Sequence, residues 1–175
     1  MKKFVMAALA VAAATTATSA VAFDRAYSRV LTTAYDAGDL RRALAGDGPV
    51  EIIGAPVDAQ AVADALDTPA YLGRPNFVAL SPTPETRKRD RLVLVFGGAA
   101  GGDACKGEAS AGGRRDVLYA AVCFGDDTVT EARLISDTLT NPTTGAFTSA
   151  ARQLIRYMAP RTNPLVTGGD QRRRY

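Results

Sequence analysis

Histidine and tryptophan are both absent from the 175 residues. Without an imidazole the chain has no Ser-His-Asp or Cys-His nucleophile system, no His-containing metal site and no side chain that titrates near neutrality in the usual way. Cysteine occurs only at 105 and 123. Two thiols without histidine make a poor zinc site, and no C-x-x-C suggests redox catalysis. No cofactor is expected. Aromatic residues make up 7% of the chain, and none is interleaved with the basic runs Arg87-Lys88-Arg89 and Arg172–Arg174. A base-stacking groove for nucleic acid is therefore not expected. Both runs read as a solvated loop and tail. Long apolar stretches are missing after the N-terminus, so no transmembrane segment is expected in the processed chain.

What the N-terminus does carry is an export signal. Lys2 and Lys3 form a positive start, Phe4–Ala14 is uncharged, and Ala20-Val21-Ala22 is a small-residue cleavage site. The Ala/Thr-rich stretch 4–22 is a weak partner for lipid, so cleavage after Ala22 is expected rather than a permanent anchor. Removing 22 of the 175 residues leaves 153, enough for one domain with a proper core. Two of the 21 Lys and Arg residues leave with the signal, so 19 remain against 18 acids. The overall excess of +3 falls to +1, and with it goes the charge argument for nucleic acid. The expected organisation is a signal over 1–22, one globular domain over 23–162, and a disordered basic tail over 163–175.

Periodicity supplies the elements. Tyr27, Val30, Leu31, Ala34 and Tyr35 have the spacing of an amphipathic helix over 24–37, with Asp39 capping a short turn to Ala45. Val50–Gly54 reads as a strand, Asp58 caps a helix to about Asp67, and Phe77–Leu80 is a short strand. Leu92–Phe96 and Val117–Phe124 are continuous apolar runs, as expected of strands buried on both faces. Gly125-Asp126 makes a hairpin turn into Thr128–Ile135, whose Glu131 and Arg133 suggest a half-exposed or edge strand. Asn141-Pro142 starts a last helix with Phe147, Ala150, Ala151, Leu154, Ile155 and Met158 on one face. The fold class is α+β: a mostly antiparallel or mixed sheet of about five strands with helices packed on one face. The unit 50–80 allows one parallel pair.

An exported chain with an even cysteine count points to a Cys105–Cys123 disulfide. If the two long strands are neighbours, Cys123 lies roughly 20 Å from the start of its strand at Val117. The loop holding Cys105 must then fold back across the sheet to meet it. The run GGAAGGDACKGE (97–108) follows a strand and suggests a phosphate loop, but Lys106 follows Cys105 rather than a glycine and no helix follows. Arg114 and Arg115 at the end of the same loop are candidate anion-binding residues. Asp126, Asp127 and Glu131 are acids clustered in and after the hairpin turn that suggest hydrolytic work or calcium binding. Asp is also a favoured turn residue, however, and no D-x-[DN]-x-[DN]-G pattern is present. No serine has a nucleophile motif, and no catalytic or metal-binding residue is assigned. The reading is an exported, periplasmic, non-catalytic accessory domain with an envelope protein as partner, for which strand 128–135 is a candidate site of strand addition. The alternative is a His-independent hydrolase using 126–131 or a small-anion binder using 97–116.

Overall fold

The computed structural model describes residues 25–98 and 103–166. The export signal expected over 1–22, residues 99–102 of the glycine-rich loop and the last part of the expected basic tail lie outside them. Among the described residues, six strands form one mixed sheet in the order β1-β6-β5-β4-β2-β3. The strands are β1 (Arg25–Leu31), β2 (Asp47–Ile53), β3 (Asn76–Leu80), β4 (Arg91–Phe96), β5 (Val117–Phe124) and β6 (Asp127–Ile135). The helices are α1 (Ala37–Ala43), α2 (Ala59–Asp64), the single turn α3 (Pro84–Arg87) and α4 (Gly145–Met158). β2 runs parallel to both β3 and β4, and the other neighbours are antiparallel. The α+β fold with a mixed sheet is thus the observed architecture.

The strand β1 replaces the helix expected over 24–37. Its helical spacing spans too few residues to exclude a strand, because Ala34 and Tyr35, which complete the pattern, lie beyond Leu31. Pairing decides the matter. β1 runs antiparallel to β6 from Arg25 opposite Ile135 to Leu31 opposite Thr130, with a bulge between Ser28 and Val30. It thereby satisfies backbone groups along β6 that would otherwise form an open edge. Strand β6 is consequently internal, with β5 on its other side, and the edge position expected for 128–135 is overturned. Strand addition by a partner at β6 is excluded for the same reason.

Caps correct two helix starts. Asp36, not Asp39, caps α1 by accepting from the amides of Gly38 and Asp39. Thr144 caps α4 by accepting from the Phe147 amide, whereas Asn141 closes a 3-10 turn over Asp137–Thr140. Asp58 caps α2, as its position before Ala59 implies. Pro49 falls inside β2, where only β3 lies beside it, since pairing with β4 begins at Val50. Its missing N–H therefore costs no ladder bond.

Alternate residues of the strands build two different layers. On one face Val50, Leu92, Leu94, Phe96, Leu118, Ala120, Val122 and Leu134 meet Leu40 and Leu44 of α1, Val62 and Ala63 of α2, and the full α4 stripe. All six stripe residues of α4 are buried. Tyr35 enters this core from the connection after β1, and its hydroxyl donates to the Pro160 carbonyl at 2.7 Å. On the opposite face Val93, Val95, Tyr119, Ala121 and Cys123 lie under the segment carrying Ala104, Cys105 and Ala109. The helices with buried side chains thus share one face, and a loop covers part of the other. Asn163, placed by composition at the start of the tail, is 9% exposed. Its side-chain amide donates to the carbonyls of Thr32 and Tyr35.

Candidate ligand cavity

The parallel strands β2 and β4 are neighbours, and their connections leave in opposite directions. After Ile53 the chain passes through Gly54 and α2 to β3 on one side; after Phe96 it passes through Gly97 towards β5 on the other. A crevice opens where two adjacent parallel strands diverge in this way, at their carboxyl ends. Here the crevice is a cavity of about 490 Å³ lined by Gly54, Pro56, Phe96, Gly97, Ala111, Gly112, Arg115, Leu139 and Thr140. That volume lies within the range of ordinary small-molecule sites.

Two glycines let the covering loop close over the strand ends. Gly54 and Gly97 have φ values of 69° and 81°, a region that L side chains rarely adopt. A Cβ on Gly54 would overlap the Ala111 methyl, and one on Gly97 would overlap the Gly112 carbonyl. The loop segment 111–112 therefore rests directly on backbone. The Gly97 amide donates to the Val117 carbonyl at 2.8 Å, so it is not free for an anion.

The neighbouring arginines have different surroundings. Arg114 is held by Asp116 through Nε and both oxygens of the carboxylate, and it does not line the cavity. Hydrogen bonding from Arg114 holds the Asp116 carboxyl below its ordinary value, against a smaller effect of burial. Arg115 lines the cavity and has no ion-pair partner among the described residues. The Thr140 hydroxyl donates to the Asp137 carbonyl at 2.9 Å, which commits its proton. Among the described residues no carboxylate lines the cavity.

The covering loop is fastened at its other end. The sulfur atoms of Cys105 and Cys123 stand at disulfide distance, 2.02 Å, with Cα atoms 5.4 Å apart. Arg91 pairs with Cys123 across β4 and β5, so Cys105 has folded back over the sheet to the far end of β5. Beside the bridge lies a charged group that sequence reasoning did not find. Arg91 and Glu51 are each 1% exposed, and Arg91 Nε donates to Glu51 Oε2 at 3.0 Å. The same guanidinium donates to the carbonyls of Cys105 at 2.6 Å, Gly125 at 2.9 Å and Arg87 at 2.6 Å. One cation thus ties β2, α3, the β5–β6 turn and the bridged loop together. Burial pulls the Asp103 carboxyl up, but hydrogen bonds from Thr128, the Cys105 amide and Lys106, with the Lys106 charge, outweigh it and hold its pKa below the ordinary 3.8.

The acids of the hairpin do not assemble into a site. Asp126 and Asp127 are exposed at the tip, while Glu131 is half-buried on the sheet and accepts from the Tyr119 hydroxyl. Arg87 of the basic run is not wholly solvated: its guanidinium fills the space beside Gly107, where a Cβ would collide with it. Among the described residues no group of three or more Cys, Asp or Glu side chains could hold a metal ion, and no helix is long and apolar enough to cross a membrane. No protein-family model matches the sequence, and neither curated proteins nor solved structures contain a significant match.

The cavity draws on four separate parts of the chain, 54–56, 96–97, 111–115 and 139–140. Pro56, Phe96, Leu139 and Thr140 gave no signal in the sequence, because each reads locally as the end of a strand or turn. The glycine-rich composition of 97–113 marked the loop but not the strand ends that it covers.

Proposed function

We propose that this chain is an exported, non-catalytic binding domain that holds a small ligand in the cavity at the carboxyl ends of β2 and β4. The observation that carries the reading is the cavity itself: a mixed polar and apolar wall with one arginine and, among the described residues, no carboxylate. The separation of the hairpin acids supports a non-catalytic role. The cysteine pair at disulfide distance supports an oxidising compartment, which the sequence pattern of residues 1–22 would deliver. As an accessory component of the envelope, such a domain would present a captured ligand to a partner protein.

The export half is tested by intact mass and N-terminal sequencing of the chain recovered from its host. The expected product begins at Phe23 and lacks two hydrogens relative to the reduced form. A folded product that retains Met1 overturns export. The binding half is tested by following backbone amide resonances while small-molecule extracts, fractionated by charge, are added. Shifts clustered at Gly54, Phe96, Gly97 and Thr140 support the site; shifts confined elsewhere overturn it.

A further inference from the structure

We infer that the cavity selects a small organic acid, with a single carboxylate on Arg115 and an apolar body against Pro56 and Ala111. This rests on the proposal that the cavity is a binding site, and adds to it the chemical class of the ligand.

Charge gives the sign. Among the described residues Arg115 is the only charged one lining the cavity, and no carboxylate among them would receive an ammonium group there. Arg114 does not add to its field as a free cation, because Asp116 neutralises it through a two-point contact. Asp137 is exposed and is not a lining residue. An anion is therefore favoured over a cation or a zwitterion.

Donor count gives the anion. A guanidinium presents two parallel N–H groups that match one carboxylate. A phosphate carries more charge and more acceptor oxygens, and sites that take it supply several donors, commonly loop amides. Two lining groups that could add donors are already committed. The Gly97 amide is committed to Val117, and the Thr140 hydroxyl proton is committed to Asp137. A single carboxylate fits what Arg115 can offer.

Shape gives the remainder. Phe96 and Leu139 are 4% and 1% exposed and offer a ligand little surface, so the apolar contact falls to the exposed Pro56 and Ala111. The volume of about 490 Å³ is more than a bare carboxylate such as acetate requires. The space beyond Arg115 is matched by an aliphatic or aromatic body, whose burial supplies affinity by the hydrophobic effect.

The experiment is an amide-resonance titration of the chain as isolated, using three matched probe sets. Benzoate and hexanoate are the monocarboxylates, benzyl alcohol and hexanol the neutral forms, and benzylamine and hexylamine the cations, with inorganic phosphate added separately. The carboxylates are expected to shift Gly54, Phe96, Gly97 and Thr140, and to bind at least ten-fold more tightly than the alcohols and amines. Arg115→Gln should reduce carboxylate affinity to that of the alcohols, Arg115→Lys should restore part of it, and Arg114→Gln should leave it unchanged. An unperturbed spectrum of the Arg115→Gln chain confirms that folding is retained, as its exposed position implies. Equal or tighter binding of alcohols, amines or phosphate at the same amides overturns the ligand class while leaving the cavity a binding site. Indifference to Arg115→Gln does likewise. If no probe of any charge perturbs those amides, the binding reading falls as well.

Discussion

The two faces of the sheet are made by alternate residues of the same strands, yet they are secured by different physics. The helix-covered face is a continuous apolar layer in which Leu94, Phe96, Leu118, Leu134, Phe147 and Leu154 interlock. Its stabilisation is non-directional and scales with area removed from water. The opposite face has a smaller apolar cluster, and its covering segment contains no helix long enough to carry an apolar stripe. There the loop is fixed by directional contacts: a sulfur–sulfur bridge, a buried Arg91–Glu51 pair and the carbonyls gathered around Arg91. A sheet can thus keep a loop in place, with a cavity at its rim, where there is too little apolar surface to hold it by burial alone.

The sharpest way to break this comparison is to remove the central cation. Arg91→Met would leave Glu51 buried without its partner and strip a donor from the carbonyls of Cys105, Gly125 and Arg87. The expected loss is about 4 kcal/mol, as for other buried pairs broken from one side. Arg91→Lys should recover only part of this, because an ammonium cannot reach acceptors fanned over several elements. On the other face Leu94→Ala should cost about 3 kcal/mol through lost transfer energy and a cavity. Urea unfolding of the variants measures both. If Arg91→Met proved milder than Leu94→Ala, the polar cluster would not be what secures its face.

Next in size is the bridge. Joining residues 18 apart should stabilise the chain by about 3 kcal/mol in the loop-entropy view. The paired substitution of Cys105→Ala and Cys123→Ala should lower the urea midpoint accordingly. Hydrogen exchange sharpens the point further. Amides in 103–116 should lose protection well before those of α4, because only the loop depends on the bridge for its position. Equal loss in both regions would mean that the two faces fold as one inseparable unit.

The same difference explains what could be read from the sequence. The apolar face announces itself by period: the α4 stripe and the strands β4 and β5 are all visible as patterns, because burial repeats at the pitch of the element. The strand β1 is not legible locally because its seven residues carry too little periodicity, and its conformation is set by β6, about a hundred residues away. The polar face has no period. Arg91 stands just before the apolar run 92–96 and Glu51 interrupts Val50–Ile53, so neither belongs to a repeating pattern; only the parallel pairing of β2 with β4 brings them together. The cysteines were legible as a pair because the chain contains no others, and the path of the loop over the sheet followed from strand length. Arg114 and Arg115 were visible together, but their separation into one paired and one unpaired guanidinium depends on how the backbone enters β5.

The smallest expected effect lies at the entry to the bridged loop and carries a pH signature. Asp103 accepts from the Thr128 hydroxyl at 3.0 Å and from the Cys105 amide at 3.0 Å, and it lies 3.3 Å from Lys106. These contacts favour the ionised form and depress the folded pKa. A depressed carboxyl contributes stability that is fully present above its unfolded value and is lost as pH falls through the folded one. The loss should therefore begin as pH approaches the ordinary value of 3.8 and deepen below it. Because the carboxylate is partly exposed, solvent screening keeps the effect below about 1 kcal/mol. Asp103→Asn should make the loop less protected at neutral pH and flatten the acid response of exchange in 103–108, with α4 unaffected. An acid response that persists unchanged in Asp103→Asn would assign it to another carboxylate. A response shared equally by α4 would show that the polar face transmits its protonation to the apolar one, and the contrast between the faces would then fail at low pH.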